Sequence, residues 1–472
     1  MGTQVLYAVT GIILARELSQ EAFGLVGAVL VFQAFASLLV DSGFSYALIQ
    51  RKQPSRLDYS TVLWFNLTVA AVLYVVLYFC APLIADCFQG DKELIPLSRV
   101  MFVSLVLNAS AIVQTNILMK KMDVRMVALS NFVGLACGGV VGMWLAYAGY
   151  GAWAVVWQTI VLSGVKSLLL WTTGHWLPML RFSFRSLRSF AGIGSKMMFT
   201  SFLNTLFLNI YSFFIGNRVG LVSLGYYSQS DKWSKMGITS VTQVLTSSFL
   251  PALSSVQDDI DRFRTMMRKM SRFTAYLMFP FIVGLMVVAT PLFHTLFGDK
   301  WDPSIVLFRL LLLRGLMMVL NSLYTNYMLA LGRARPIVRL EVLRDALALI
   351  ALAMTFPCMA MTLPDDPVYG LTVMLWGQVA ATAVTWIVTL IVTSRTTGVG
   401  PMCLVSDIMP YFAMTAVIVP LMIAVGYCFD SDILTLAVEI LVGAGLYIGA
   451  NAVMDSRIQK DVFCFIRGKK AL

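Results

Sequence analysis

The sequence predicts an all-α polytopic membrane protein of about fourteen transmembrane helices, and three observations carry that prediction. Apolar runs recur from one end of the chain to the other in a composition that is 59% hydrophobic and 12% charged, which is the chemistry of a bilayer protein. Basic residues gather in every second loop, as topology demands. The second half of the chain echoes the first, which predicts two six-helix lobes related by a pseudo-twofold axis along the membrane normal, plus a terminal helix pair. No segment has the short apolar core and small-residue cleavage pattern of a removable signal peptide.

Hydropathy places helices over residues 1–15, 22–48, 59–84, 94–118, 126–147 and 152–173 in the first lobe. The second lobe follows with 188–215, 221–250, 270–296, 304–329, 337–357 and 369–393, and the terminal pair with 407–428 and 432–454. The eighth span is too polar to be assigned by hydropathy, and loop charge decides it. Arg51, Lys52 and Arg56, then Lys120, Lys121 and Arg125, then Arg181, Arg185 and Arg188 mark alternate loops of the first lobe. Arg262 to Arg272, then Arg333, Arg335 and Arg339, then Arg395 and the tail from Arg457 continue the series. The opposite side holds Arg16, Lys92, Arg218 and Lys300. The positive-inside rule puts the basic side and both termini in the cytoplasm. The chain leaves one basic loop after Phe190 and reaches another at Arg262, so two crossings lie between them. The predicted organisation is an N-lobe over 1–187, a C-lobe over 188–394, helices 13 and 14 over 395–454 and a basic tail over 455–472. The run Asp258 to Arg272 is amphipathic and reads as an interfacial helix or elbow.

The repeat rests on ordered echoes. Arg99 precedes Thr115–Asn116 by the same spacing as Arg309 precedes Thr325–Asn326. "YGAWAVVW" from Tyr150 returns as "YGLTVMLW" from Tyr369, and "FSYALIQ" at Phe44 as "FLPALSS" at Phe249. The offset between partners grows steadily along the chain. An even number of helices per repeat makes the repeats parallel, and substrate sites in such transporters lie between them.

Several functions are set aside by composition. A net charge of +11 lies in short loops beside apolar spans, so no nucleic acid partner is expected. The 7 cysteines are scattered without a CxxC, and His175 and His294 are the only histidines, so neither a disulfide framework nor a metal site is expected. No P-loop and no nucleophile–base pair appears, so no cofactor and no enzyme activity is expected. Energy for transport has to come from an ion gradient, the membrane potential or coupled synthesis.

The candidate site starts from "GYYSQSDKWSKMG", Gly225 to Gly237. At about 100° per residue, Asp231, Lys235, Thr239, Thr242, Lys232 and Gln243 fall within about 120° of one another. That polar stripe suits a wet cavity, because a charge at mid-bilayer costs about 2.5 to 3.5 kcal/mol on insertion scales. The alternative is a structural i, i+4 pair of Asp231 and Lys235, which accounts for Lys235 and not for Lys232. Lys196 shares a face with Thr200 and Asn204, and Arg314 is a further buried cation. This excess of buried bases suits an anionic substrate such as a phosphate or pyrophosphate head group. Arg99 and Arg309 suit snorkelling or packing, and Glu341, Arg344 and Asp345 a structural ion network. Asp41, followed by Gly43, and Glu439, alone in the last span, are candidate coupling-ion residues for H+ or Na+.

Four stretches resemble a known family. "GIILARELSQEAFGLVGAVLVFQAFASLLVDSGFSYALIQRK", "YSTVLWFNL", "SLGYY" and "NYMLALGRARP" are similar to bacterial polysaccharide exporters of the multidrug/oligosaccharidyl-lipid/polysaccharide superfamily, the colanic-acid and lipopolysaccharide (Wzx-type) branch. The resemblance implies a V-shaped central cavity lined by helices 1, 2, 7 and 8, and alternating access. It implies a flippase for undecaprenyl-pyrophosphate-linked oligosaccharide repeat units, moving them to the outer leaflet, with membrane lipid, a polysaccharide polymerase and glycosyltransferases as partners. It also implies a basic leader before "ILARELS". The residues before Ala15 extend about 21 Å at ~1.5 Å per residue, short of a ~30 Å core. The expectation is a start further upstream or a first helix shortened at its cytoplasmic end.

Two other functions stand beside this one. A MATE-like drug/cation antiporter of the same superfamily would favour a cavity dominated by acids, and this one is dominated by bases. A membrane polysaccharide polymerase or ligase would be expected to carry a long outward loop with paired charges, and no outward loop here is long.

Overall fold

A computed structural model of the chain describes residues 2–41, 43–174, 176–362, 367–454 and 458–460. In the first half the helices are α1 (Gly2–Glu17), α2 (Gln20–Asp41), α3 (Phe44–Gln50), α4 (Arg56–Cys87), α5 (Leu94–Met101), α6 (Val103–Lys120), α7 (Val124–Tyr147), α8 (Trp153–Thr173) and α9 (Phe184–Arg218). They continue as α10 (Leu221–Ser254), α11 (Ile260–Val287), α12 (Ala289–Phe297), α13 (Asp302–Ala330), α14 (Ala334–Thr362), α15 (Pro367–Thr397), α16 (Pro401–Gly426) and α17 (Asp432–Val453). Among the described residues no strand occurs, and the chain is a multi-pass membrane protein.

Three of the predicted spans are each built from two helices. The span 22–48 breaks at Gly43, whose φ of 68° is open to glycine at no steric cost. A Cβ at Gly43 would stand 2.4 Å from the Gly194 carbonyl oxygen, so α9 packs directly on the break. The span 94–118 is interrupted at Phe102 and the span 270–296 at Val288. Joined in this way, the helices make the fourteen expected spans, and 11 of them are long and apolar enough to cross a membrane by length and composition. The other three have physical reasons to fall short. α1 has 16 residues, α10 carries the polar stripe, and α14 opens with Arg335, Arg339, Glu341, Arg344 and Asp345.

One expectation is corrected. The run Asp258 to Arg272 is not an interfacial elbow: Asp259 caps α11 by accepting from the Arg262 backbone N–H at 3.1 Å, and the run forms the first turns of that helix. Its apolar positions Phe263, Met267 and Met270 are buried with Leu323, Tyr324, Tyr327 and Leu404. Protein covers the apolar stripe that would otherwise have lain on lipid.

The helices pack into two compact units, Met1–Ser228 and Gln229–Leu472, and the division falls within α10. In the first unit, Gly134, Gly138 and Gly142 recur every fourth residue of α7. Cβ atoms there would come within 2.9, 2.6 and 2.9 Å of α8 atoms, so α7 and α8 lie backbone to backbone. Interhelical hydrogen bonds run from Gln33 to Ser104 at 2.9 Å and from Asn108 to Ser163 at 3.1 Å, each contributing on the order of 0.6 kcal/mol. Ser55 and Asp58 form a capping box at the start of α4. Asp58 also accepts from Ser186 of α9 and lies 3.5 Å from Arg51. α9 thus docks on α2, α3 and α4.

In the second unit, α16 and α17 lie along the broken helix α11–α12. Asp407 of α16, 1% exposed at its side chain, takes hydrogen bonds of 2.6–3.0 Å from Arg268 and Arg272 of α11. Tyr447 of α17 donates to the Tyr276 carbonyl at 3.0 Å. His294 of α12 lies 2.8 Å from Asp302 of α13 and 3.4 Å from Asp432 of α17.

Candidate functional site

The stripe on α10 begins where the helix leaves the first unit. Gly225 packs on α2 so closely that a Cβ there would sit 2.0 Å from the Gln20 carbonyl oxygen, and Gly24 meets Leu221 in the same way. Beyond Ser228 the helix belongs to the second unit, and one of its sides is committed to packing there. Ser230 donates to the Ser304 carbonyl at 2.8 Å. The Trp233 ring lies 5.1 Å from Phe297, and Ile238 fills the space over Gly315. On the helical wheel Ser230 and Trp233 fall opposite Lys235 and Thr239, while Ile238 falls beside Asp231 at the edge of the stripe.

The stripe is therefore turned away from the packed side of its own unit. Lys235 pairs with Asp231 at 2.5 Å, with side chains 49% and 18% exposed. Lys232 lies over the Trp233 ring, 5.6 Å from its centroid. Thr239 is exposed and donates to the Lys235 carbonyl at 2.7 Å, a local bond that leaves its side chain on the stripe. Gln243 is exposed one turn further on.

The remaining candidates are distributed over both units. Asn204 is exposed on α9 in the first unit. Lys196 lies on the same helix, with its side chain outside the described residues. Arg314 is half-buried on α13, in the second unit. Asp41, at the end of α2, accepts from Ser45 across the break at Gly43, and Ser45 in turn accepts from Asn116 of α6 at 2.9 Å. Glu439 is buried on α17 at 5% exposure, and its Oε2 has no hydrogen-bond partner. Arg344 bonds its neighbour Asp345 at 2.9 Å. His175 and Cys464 lie outside the described residues, and among those described no group of acids, histidines and cysteines is arranged to hold a metal ion.

Arg99 and Arg309 do matching work. Pro82 in α4 has no N–H to offer the Tyr78 carbonyl four residues back. Arg99 of α5 supplies that donor at 3.2 Å and stacks on the Tyr78 ring, 4.3 Å from its centroid. In the second unit Arg309 of α13 donates to the Met286 carbonyl at 3.0 Å and to Thr290 Oγ1 at 3.0 Å, on either side of the break at Val288. Two arginines matched in the sequence repeat thus each satisfy a carbonyl of a neighbouring helix, α4 in the first unit and α11 in the second.

An all-α chain in two helical units, with a charged stripe on one long helix, has the architecture of a multi-pass membrane protein. The match to the polysaccharide biosynthesis protein family runs over residues 13–306, more than half of the chain, and the chain belongs to that family. Among its relatives is the teichuronic acid biosynthesis protein TuaB of Bacillus subtilis, 26% identical over 64% of this chain. Another is the lipopolysaccharide biosynthesis protein WzxC of Escherichia coli, 25% identical over 68% of it. The chain spans 62% of the length of the first and 65% of the second. In fold it is similar to the lipid II flippase MurJ, with a TM-score of 0.70 over 99% of this chain and 98% of that one at 15% identity. It is also similar to a multidrug resistance MATE family transporter, with a TM-score of 0.62 over 84% and 96% at 15% identity.

Proposed function

We propose that this protein is a flippase that moves undecaprenyl-pyrophosphate-linked oligosaccharide repeat units from the inner to the outer leaflet of a bacterial plasma membrane by alternating access. The observation that carries the reading is the stripe on α10, whose Lys235, Thr239 and Gln243 are exposed away from the packed side of the helix, with Lys232 half-buried at its edge, in a chain of the polysaccharide biosynthesis family. Ammonium groups attract a pyrophosphate, and the hydroxyl and amide groups offer hydrogen bonds to sugars. A charged face of this kind is costly against lipid and stable against water, which supports a wet path along it.

The functional lobes are taken as 1–187 and 188–394, with 395–454 as the terminal pair, and both termini in the cytoplasm. Arg314 is assigned to the substrate path of the second unit, Lys196 and Asn204 are candidate substrate residues of the first unit, and Asp41 is assigned to ion coupling. The polymerase and glycosyltransferases that make and use the glycolipid are the expected partners. The likeness to a MATE transporter favours one second reading, a drug/cation antiporter. Replacing both Lys232 and Lys235 by Ala separates the two. The flippase loses most of its surface polysaccharide at unchanged protein level, whereas undiminished export together with a changed drug tolerance supports the antiporter.

A further inference from the structure

Glu439 has no place in the stripe on α10, yet it is the buried acid of an otherwise apolar helix. Its side chain is 5% exposed and its Oε2 has no hydrogen-bond partner. Its Oε1 occupies the space that a Cβ at Gly426 would need, at 2.3 Å, so the last turn of α16 closes one side of the carboxyl. A buried carboxylate left in this state is unfavourable by several kcal/mol, and it is relieved by a proton, a cation or an ion pair. Arg309 reaches Thr290 on α12, and α12 packs on α17, the helix that carries this carboxyl. The donors of Arg309 go to Met286 and Thr290, where they hold the break between α11 and α12.

The other charged groups around α17 are already engaged. On α12, His294 lies between Asp302 of α13 and Asp432, two turns before Glu439 on α17 itself. On α16, Asp407 is paired with Arg268 and Arg272 of α11 at the far end of the helix. Among the described residues, Arg309 is thus the cation placed to answer Glu439.

We propose that Glu439 is a binding site for a monovalent cation, a proton or Na+, and that its occupancy decides which partners Arg309 keeps. With the site filled, the carboxyl is neutral and Arg309 stays on Met286 and Thr290, which holds α12 on α11. With the site empty, the carboxylate draws the guanidinium, the two bonds across the break are released, and α12 loosens together with the ends of α13 and α17 that it joins. As a coupling site this rests on the transport reading above; as an ion site it does not.

The test uses the full chain in lipid nanodiscs without glycolipid, so its failure leaves the flippase reading untouched, and a failure of transport leaves the ion site untouched. Infrared difference spectra between acid and alkaline buffer are expected to show a protonated-carboxyl band that is lost in Glu439→Gln and kept in Asp41→Asn. Amide hydrogen exchange of Ala289–Phe297, corrected for intrinsic rates, is expected to quicken at alkaline pH in the native chain and to stay slow throughout in Glu439→Gln. If only acid restores the slow exchange, the ion is a proton; if Na+ restores it at alkaline pH, the ion is Na+. A band that survives in Glu439→Gln, or exchange that neither acid nor Na+ slows, overturns the proposal.

Discussion

Asp407 is held by four hydrogen bonds from Arg268 and Arg272, which are about 40% exposed while the carboxylate itself is 1% exposed. Removing it leaves two guanidinium groups in the N-terminal half of α11 without their acceptor. Breaking a buried pair in this way costs about 3 to 5 kcal/mol, and the exposure of the arginines places Asp407→Ala near the lower figure. A lowered unfolding temperature in detergent and reduced membrane abundance are the expected results. The stripe pair behaves oppositely. Asp231 and Lys235 form a half-exposed i, i+4 pair, so Lys235→Ala changes stability by only about 0.5 kcal/mol. Its unfolding temperature stays near that of the native chain while export falls; a large drop in stability instead makes the pair structural. The stripe was legible in the sequence because helical periodicity orders side chains on one helix. Asp407 was not, since its partners lie on a helix far away in the chain and acids carry little weight in reading topology.

Helix breaks belong to the next scale. Periodicity and charge count the spans, but they do not show that Phe102 and Val288 interrupt two of them, because an apolar run stays apolar through a change of helix direction. The signal that was present is the pairing of Pro82 with a downstream arginine. A proline frees the carbonyl four residues before it, and a freed carbonyl on a membrane-spanning helix needs a donor. Arg99→Ala should therefore destabilise the native chain by about 1 kcal/mol. In a Pro82→Ala background, where residue 82 regains its N–H, the same substitution should have a much smaller effect. Equal effects in the two backgrounds, measured as a double-mutant cycle of unfolding, would remove the account of Arg99 as a substitute donor. The α7–α8 contact makes a second prediction at this scale. Gly138→Ala places a methyl 2.6 Å from the Gln158 carbonyl oxygen, and parting the two helices to admit it costs about 1 to 3 kcal/mol. Thermal unfolding checks this, with Gly445→Ala on α17, where nothing lies within 4 Å, as the helical comparison.

For the molecule as a whole, the alternation of basic and bare loops led to a helix where hydropathy was silent. α10 runs from Leu221 to Ser254 as one helix although its middle is charged. The elbow expected at 258–272 failed for a related reason: an amphipathic pattern says that an apolar side is covered and leaves open whether lipid or protein covers it. Here the core around Tyr324 and Tyr327 does so. The division of the packing at Ser228–Gln229 was likewise beyond the sequence, because the docking of α9 on α2, α3 and α4 depends on contacts between spans far apart in the chain.

The central claim is that this chain carries a lipid-linked oligosaccharide across the bilayer and that the cations on α10 serve that passage. Its most direct test is a vesicle assay with the purified full chain, an ion gradient and a fluorescent undecaprenyl-pyrophosphate oligosaccharide loaded on one leaflet, read by the access of an added glycosidase to the other leaflet. The account predicts cleavage that grows with time in vesicles holding the native chain and falls to the level of empty vesicles with the Lys232→Ala, Lys235→Ala double variant. Cleavage no faster than in empty vesicles, or equally fast with the double variant, would contradict it.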